Sequence, residues 1–109
     1  MKLYSVNLKK PSDYVKLKEQ NKEVPHVLYF TDKGKIPPFY KALTGNFRNT
    51  IAFGHVFANN TALCEELGVD SFPQLLLNGK ERLPLSSNLQ EVIEMLAQHE
   101  GEHTNIFIQ

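Results

Sequence analysis

The run Val27-Leu28-Tyr29-Phe30 constrains this chain more than any other segment. It carries no charged side chain, is only a few residues long, and is bounded by Pro25 on one side and by Asp32 and Gly34 on the other. An apolar run of that length between turn signals suits a central strand covered on both faces. Pro25 has no N–H to give a ladder, so the strand proper begins near His26. A strand buried on both faces needs helices above and below it, and the flanking sequence offers them.

Before this run, Tyr4 to Leu8 alternates weakly and reads as a short strand. Pro11-Ser12-Asp13 then opens a helix, with Ser12 as the expected cap and Asp13 favourable in the first turn. That helix runs to about Gln20. After the run, Thr31 to Pro37 is a loop, and Pro38 suits the first turn of a second helix, where its missing N–H costs nothing. Phe39, Leu43 and Phe47 share one face of it, with Tyr40 beside them. Gly45-Asn46 is a place where it can fray or end. Ile51 to Phe57 is the next strand, with Ile51, Phe53 and His55 on one face and Gly54 marking a close packing contact.

Asn59, Asn60 and Thr61 offer caps for a short helix carrying Leu63, Cys64 and Leu67, and Gly68 stands where a left-handed C-terminal residue is expected. Gln74 to Leu77 is a strand. Asn78-Gly79 is the strongest hairpin signal in the chain, and Glu81 to Leu85 pairs back, with Pro84 placing it at a sheet edge. A last helix follows, capped by Ser87 or Asn88, with Gln90 or Glu91 as capping-box partner and Leu89, Val92, Ile93 and Leu96 at i, i+3, i+4, i+7. Its pattern is lost at about Gln98. The expected organisation is one α/β domain over residues 1–98, ordered β-α-β-α-β-α-β-β-α: a mixed sheet of about five strands flanked by about four helices. Residues 99–109 are a tail or the start of a linker.

Composition narrows the function classes. Twelve basic and twelve acidic residues cancel in a chain of 109 residues. No net field favours nucleic acid or an anionic membrane. No apolar run approaches the roughly 18 residues of a membrane span. A single cysteine, Cys64, excludes an internal disulfide; between Leu63 and Leu67 it reads as a buried structural thiol. His26 and His55 read as ordinary strand residues, and Lys33 and Lys35 as a solvated loop. His99 and His103, with Glu100 and Glu102, lack metal-ligand spacing on a defined element and read as solvated tail. Asn59-Asn60-Thr61 is a glycosylation sequon.

The segments His26-Val27-Leu28-Tyr29-Phe30, Pro38-Phe39-Tyr40-Lys41-Ala42-Leu43 and Gly68-Val69…Phe72-Pro73-Gln74-Leu75-Leu76-Leu77-Asn78-Gly79 resemble three parts of the thioredoxin-like superfamily. These are its central strand, its active-site helix and its cis-proline with the following strand and turn. The resemblance covers about residues 4–98 and implies a cis bond at Phe72–Pro73.

The departures imply a loss of chemistry. Aligned on Phe30, the family's Cys-x-x-Cys falls on Lys35-Ile36-Pro37-Pro38, where no thiolate can attack a disulfide. Tyr29 stands where the family places a buried acid. The implied reading is no catalytic residue and no cofactor.

The phrase Val24 to Lys33, followed by Pro38 to Leu43, is similar to the redox-inactive, b-type domains of the protein disulfide isomerase family, and related modules occur in luminal DnaJ-type chaperones. The resemblance implies a spacer or interaction module in the endoplasmic reticulum lumen. Its partners are unfolded polypeptide or neighbouring thioredoxin or J-type domains. Lys35, Ile36, Pro37, Phe72 and Pro73 are the implied binding residues; that apolar group either binds a chain or packs on itself. A cytosolic adaptor is the alternative, distinguished by the absence of a signal peptide. A glutathione-dependent enzyme fragment is a further one, for which Thr31 and Tyr40 are poor activating residues.

Overall fold

A computed structural model describes residues 3–83 and, beyond them, Glu94. The elements in order are β1 (Val6–Asn7), α1 (Pro11–Gln20), β2 (His26–Thr31), α2 (Pro38–Phe47), β3 (Ala52–Phe57), α3 (Thr61–Glu66), β4 (Gln74–Leu77) and β5 (Glu81–Leu83). The strands form one sheet in the order β1-β3-β2-β4-β5, parallel for β1, β3 and β2 and antiparallel for β4 and β5. This is the expected mixed five-stranded sheet, with β2 at its centre. The expected last helix with its caps, Pro84, and the boundary between 1–98 and 99–109 lie outside the described residues.

Alternation along β2 creates two cores. Val27 and Tyr29 point to a face closed by α2, with Tyr40, Leu43, Phe47 and Phe53. Leu28 and Phe30 point to the other, closed by Leu8, by Tyr14 and Leu17 of α1, and by Leu63 and Cys64 of α3. Successive side chains of a strand leave opposite faces, so one short apolar run supplies the centre of both layers.

The first helix corrects one expectation. Ser12 is not its cap: Lys10 is the N-cap residue and Pro11 occupies the first turn. Proline is preorganised for that position and has no N–H to satisfy. Asp13 takes over the capping, its carboxylate accepting from the Lys9 N–H at 2.9 Å and the Lys10 N–H at 3.2 Å. Gly45-Asn46 does not end α2, which continues to Phe47 because that side chain is buried against the sheet. Asn46 stays helical with its side-chain N–H donating to the Ala42 carbonyl.

Three other local readings hold. Asn60 caps α3, its side-chain oxygen accepting from the Leu63 N–H. Asn78 and Gly79 both have positive φ, 57° and 73°, as a two-residue hairpin between twisted strands requires. Asn78 also ties the hairpin to β2, its side chain accepting from the His26 N–H at 3.0 Å. Gly54 sits where a Cβ would come within 2.9 Å of both Leu28 Cδ2 and Leu8 Cδ1, the close contact expected of it.

Candidate functional site

The carboxyl end of β2 and the start of β4 lie side by side, because Phe30 pairs with Gln74. The loop that leaves β2 and the Phe72–Pro73 peptide that enters β4 therefore meet at one end of the sheet. The Thr31 hydroxyl accepts from the Lys33 N–H at 3.1 Å and turns the chain away from the strand. Asp32, Lys33, Gly34 and Lys35 are exposed, and Ile36 and Pro37 are half-buried. Pro37 is the N-cap residue of α2, and its carbonyl accepts from the N–H groups of Tyr40 and Lys41. Phe72–Pro73 is cis, as the resemblance implied. Pro73 is exposed and Phe72 half-buried.

The five residues singled out from the sequence thus share one end of the sheet but not one surface. Ile36 packs, with Phe39, against the Val27–Tyr29–Tyr40 core. Phe72 packs against the Leu28–Phe30 core on the opposite face. Lys35 and Pro73 stand exposed at the same end. Main-chain groups are available there: among the described residues, neither the N–H nor the C=O of Phe72 makes a hydrogen bond.

The positions that the resemblance aligns with the family's reactive groups lie at this end. Lys35 and Pro38 occupy the positions aligned with the two cysteines. Tyr29 occupies that of the acid; it stacks on Tyr40 with ring centres 4.7 Å apart. Burial pushes the Tyr29 phenol above its ordinary value, Asp32 adds to this, and a hydrogen bond with Thr31 works the other way. A neutral phenol of that kind is no base for a thiol. Cys64 is buried in the core on the α3 side, and burial raises its pKa. A thiol held protonated is a poor nucleophile.

Three polar groupings were not legible in advance. Ser5 Oγ lies 2.8 Å from His55 Nδ1 and 3.1 Å from the Tyr40 hydroxyl, which donates to the Gly54 carbonyl at 2.8 Å. Burial lifts the Tyr40 phenol far above its ordinary value. The Tyr14 hydroxyl meets His26 Nε2 at 2.8 Å. Gln74 donates to Ser71 Oγ, yet its side-chain oxygen is buried with no partner among the described residues. The only sequence signal for the last was a polar residue heading the apolar run Leu75 to Leu77. Among the described residues no cluster of His, Cys, Asp or Glu could hold a metal, and no helix is long and apolar enough to cross a membrane. His99 and His103 lie outside them.

The two histidines give the fold a pH dependence. Burial lowers the pKa of His26, assisted by the Lys18 charge, and burial alone lowers that of His55. Both start from 6.5, so below that pH the unfolded chain binds more protons than the folded one. Stability from these groups is complete above pH 6.5 and is lost as the pH falls toward their folded-state values. Denaturant midpoints are therefore expected to hold level above neutrality and to decline in mild acid. Replacing both histidines by Gln should flatten the decline; an unaltered slope would assign it to other groups.

No family model matches the chain, and no curated protein does. Solved structures do. The chain is similar to thioredoxin NaTrxh from Nicotiana alata, with a TM-score of 0.72 and 17% identity over 91% of this chain and 95% of that one. It is similar to Fasciola hepatica thioredoxin, with a TM-score of 0.71 and 21% identity over 86% of this chain and 98% of that one. Oxidised thioredoxin from Plasmodium falciparum gives 0.67 and 17% over 88% and 98%. With the strand order, the cis-proline and these likenesses together, the chain has a thioredoxin-like fold.

Proposed function

We propose that this chain is a non-catalytic interaction or spacer module of a protein disulfide isomerase-like or chaperone-like protein of the endoplasmic reticulum lumen. In this reading it takes an extended stretch of unfolded polypeptide at the sheet end formed by Lys35, Ile36, Pro37, Phe72 and Pro73. The observation that carries it is the pairing of lost and kept features at that end. Thiolate and acid positions hold Lys35, Pro38 and Tyr29, while the Phe72 main chain, beside an exposed Pro73, has its N–H and C=O uncommitted among the described residues. Uncommitted main-chain groups pair with an extended chain whatever its side chains, which suits a site without sequence specificity.

Two measurements test it. Dithiothreitol is expected to reduce insulin at the same rate with and without the chain; an acceleration abolished by Cys64→Ser would overturn the non-catalytic part. Amide chemical-shift mapping with an unfolded model protein, at moderate salt to screen surface charge, is expected to move residues 35–37 and 72–73. Lys35→Glu and Ile36→Asp variants that keep the native spectrum elsewhere should weaken those shifts. Shifts confined to the opposite end of the sheet would remove the binding site from this edge, and no shifts at all would reduce the module to a spacer.

A further inference from the structure

We infer that Asn59 is an acceptor for an N-linked glycan that stands beside the proposed binding end. The inference rests on the luminal reading above, because the modification is made in that compartment. The sequon Asn59-Asn60-Thr61 has two adjacent asparagines, and the fold separates their roles. Asn60 is consumed: its oxygen accepts from the Leu63 N–H at 3.3 Å, and its side-chain N–H donates to the Leu8 carbonyl at 3.1 Å. It also lacks a hydroxyl residue two positions on, where Ala62 stands. Asn59 is exposed in the turn between β3 and α3. Among the described residues its amide makes no hydrogen bond. Thr61, whose hydroxyl completes the sequon, is exposed at the first position of α3. A glycan on Asn59 therefore costs the fold neither a cap nor a buried contact, whereas one on Asn60 would cost both side-chain bonds.

The chemistry is a glycosyl transfer from a lipid-pyrophosphate-linked oligosaccharide. Asn59 Nδ2 forms the bond to the first sugar's C1 and loses one proton. The C1–O bond to the pyrophosphate breaks, and the lipid pyrophosphate leaves. Nothing is oxidised or reduced. The place of the sugar follows from the sheet. The Ala58 N–H donates to the Thr31 carbonyl at 2.9 Å, so this turn is fastened to the carboxyl end of β2, the end from which the Lys35–Pro37 loop departs. The turn also borders a cleft formed with Asn7, Leu8, Lys9 and Phe57 at the edge strand β1. A hydrated glycan there shields the short open edge of the sheet from pairing with other chains and leaves the Pro73 side free.

The test is expression of the full chain behind a cleavable signal peptide in cultured secretory cells. The read-out is gel mobility before and after a peptide N-glycosidase, with protease protection reporting luminal location. A discrete shift is expected, removed by the glycosidase, absent in Asn59→Gln and in Thr61→Ala, and retained in Asn60→Gln. A protected chain with no shift, or a shift surviving in Asn59→Gln, would overturn the assignment. The signal peptide imposes the compartment, so acceptor use is read independently of where the natural protein resides and of whether the adjacent end binds polypeptide.

Discussion

Tyr40→Ala is expected to cost about 3–5 kcal/mol, the range for truncating a large buried aromatic. Tyr40 is wholly buried and lies at the join between α2 and the sheet. Its ring stacks on Tyr29 at 4.7 Å and meets Phe53 edge-on at 6.1 Å. Its hydroxyl donates to the Gly54 carbonyl and reaches Ser5, which in turn holds His55. Small domains have total stabilities of roughly 5–15 kcal/mol, so this loss is a large share of what is available. Thermal unfolding should shift down by at least about 12 °C. Tyr40→Phe separates the two contributions. It keeps the ring and removes both hydroxyl bonds, leaving the buried Gly54 carbonyl without this donor, so about 1–3 kcal/mol is expected. Chemical denaturation of both variants checks this; equal losses would mean that the polar link between β1, α2 and β3, and not the packing, holds this corner.

Gly54→Val is expected to be as damaging, for the opposite reason. Leu28 and Leu8 are 0% and 1% exposed, and each already stands 2.9 Å from where a Cβ would be. Neither can retreat into solvent. One added methyl, Gly54→Ala, should cost about 1–3 kcal/mol through overpacking, partly offset by lower unfolded-state freedom. Valine should exceed that and leave little folded protein. The clash is with Leu8 as much as with Leu28, so Leu8→Val should open room for the alanine. The double variant Gly54→Ala, Leu8→Val is then expected to be less destabilised than the sum of its parts. Strict additivity, measured by denaturant unfolding, would show that the glycine serves something other than this contact.

These two positions also mark how far the sequence reaches. Gly54 was readable as a close contact, because a glycine inside an apolar strand has few other uses. Which side chains it met was not readable: Leu8 lies 46 positions away and arrives only through the parallel pairing of β1 with β3. Tyr40 was readable as neighbour to the Phe39–Leu43–Phe47 stripe. Yet Tyr40 is the wholly buried residue and Phe39 is only partly so. The helix is rotated by what it meets on the sheet.

The sequence by itself determined what local chemistry decides. The short apolar run marked a central strand, Pro38 and the Asn59-Asn60-Thr61 cluster marked helix starts, and Asn78-Gly79 marked the hairpin. The absence of cysteine at positions 35 and 38 was equally plain. Each depends on a few adjacent residues and on the steric or hydrogen-bonding limits of their own backbone. Ser12 was the expected cap of the first helix, and only the folded geometry placed the N-cap at Lys10, with the Asp13 carboxylate accepting from Lys9 and Lys10. Tertiary structure alone decided the long-range pairings: Ser5 with His55, Tyr14 with His26, and Asn60 with the Leu8 carbonyl. It also divided Ile36 from Phe72. Both are apolar and both flank the same end of the sheet, but the sheet is two-sided, and the packing of loop and strand entry assigns each to its face.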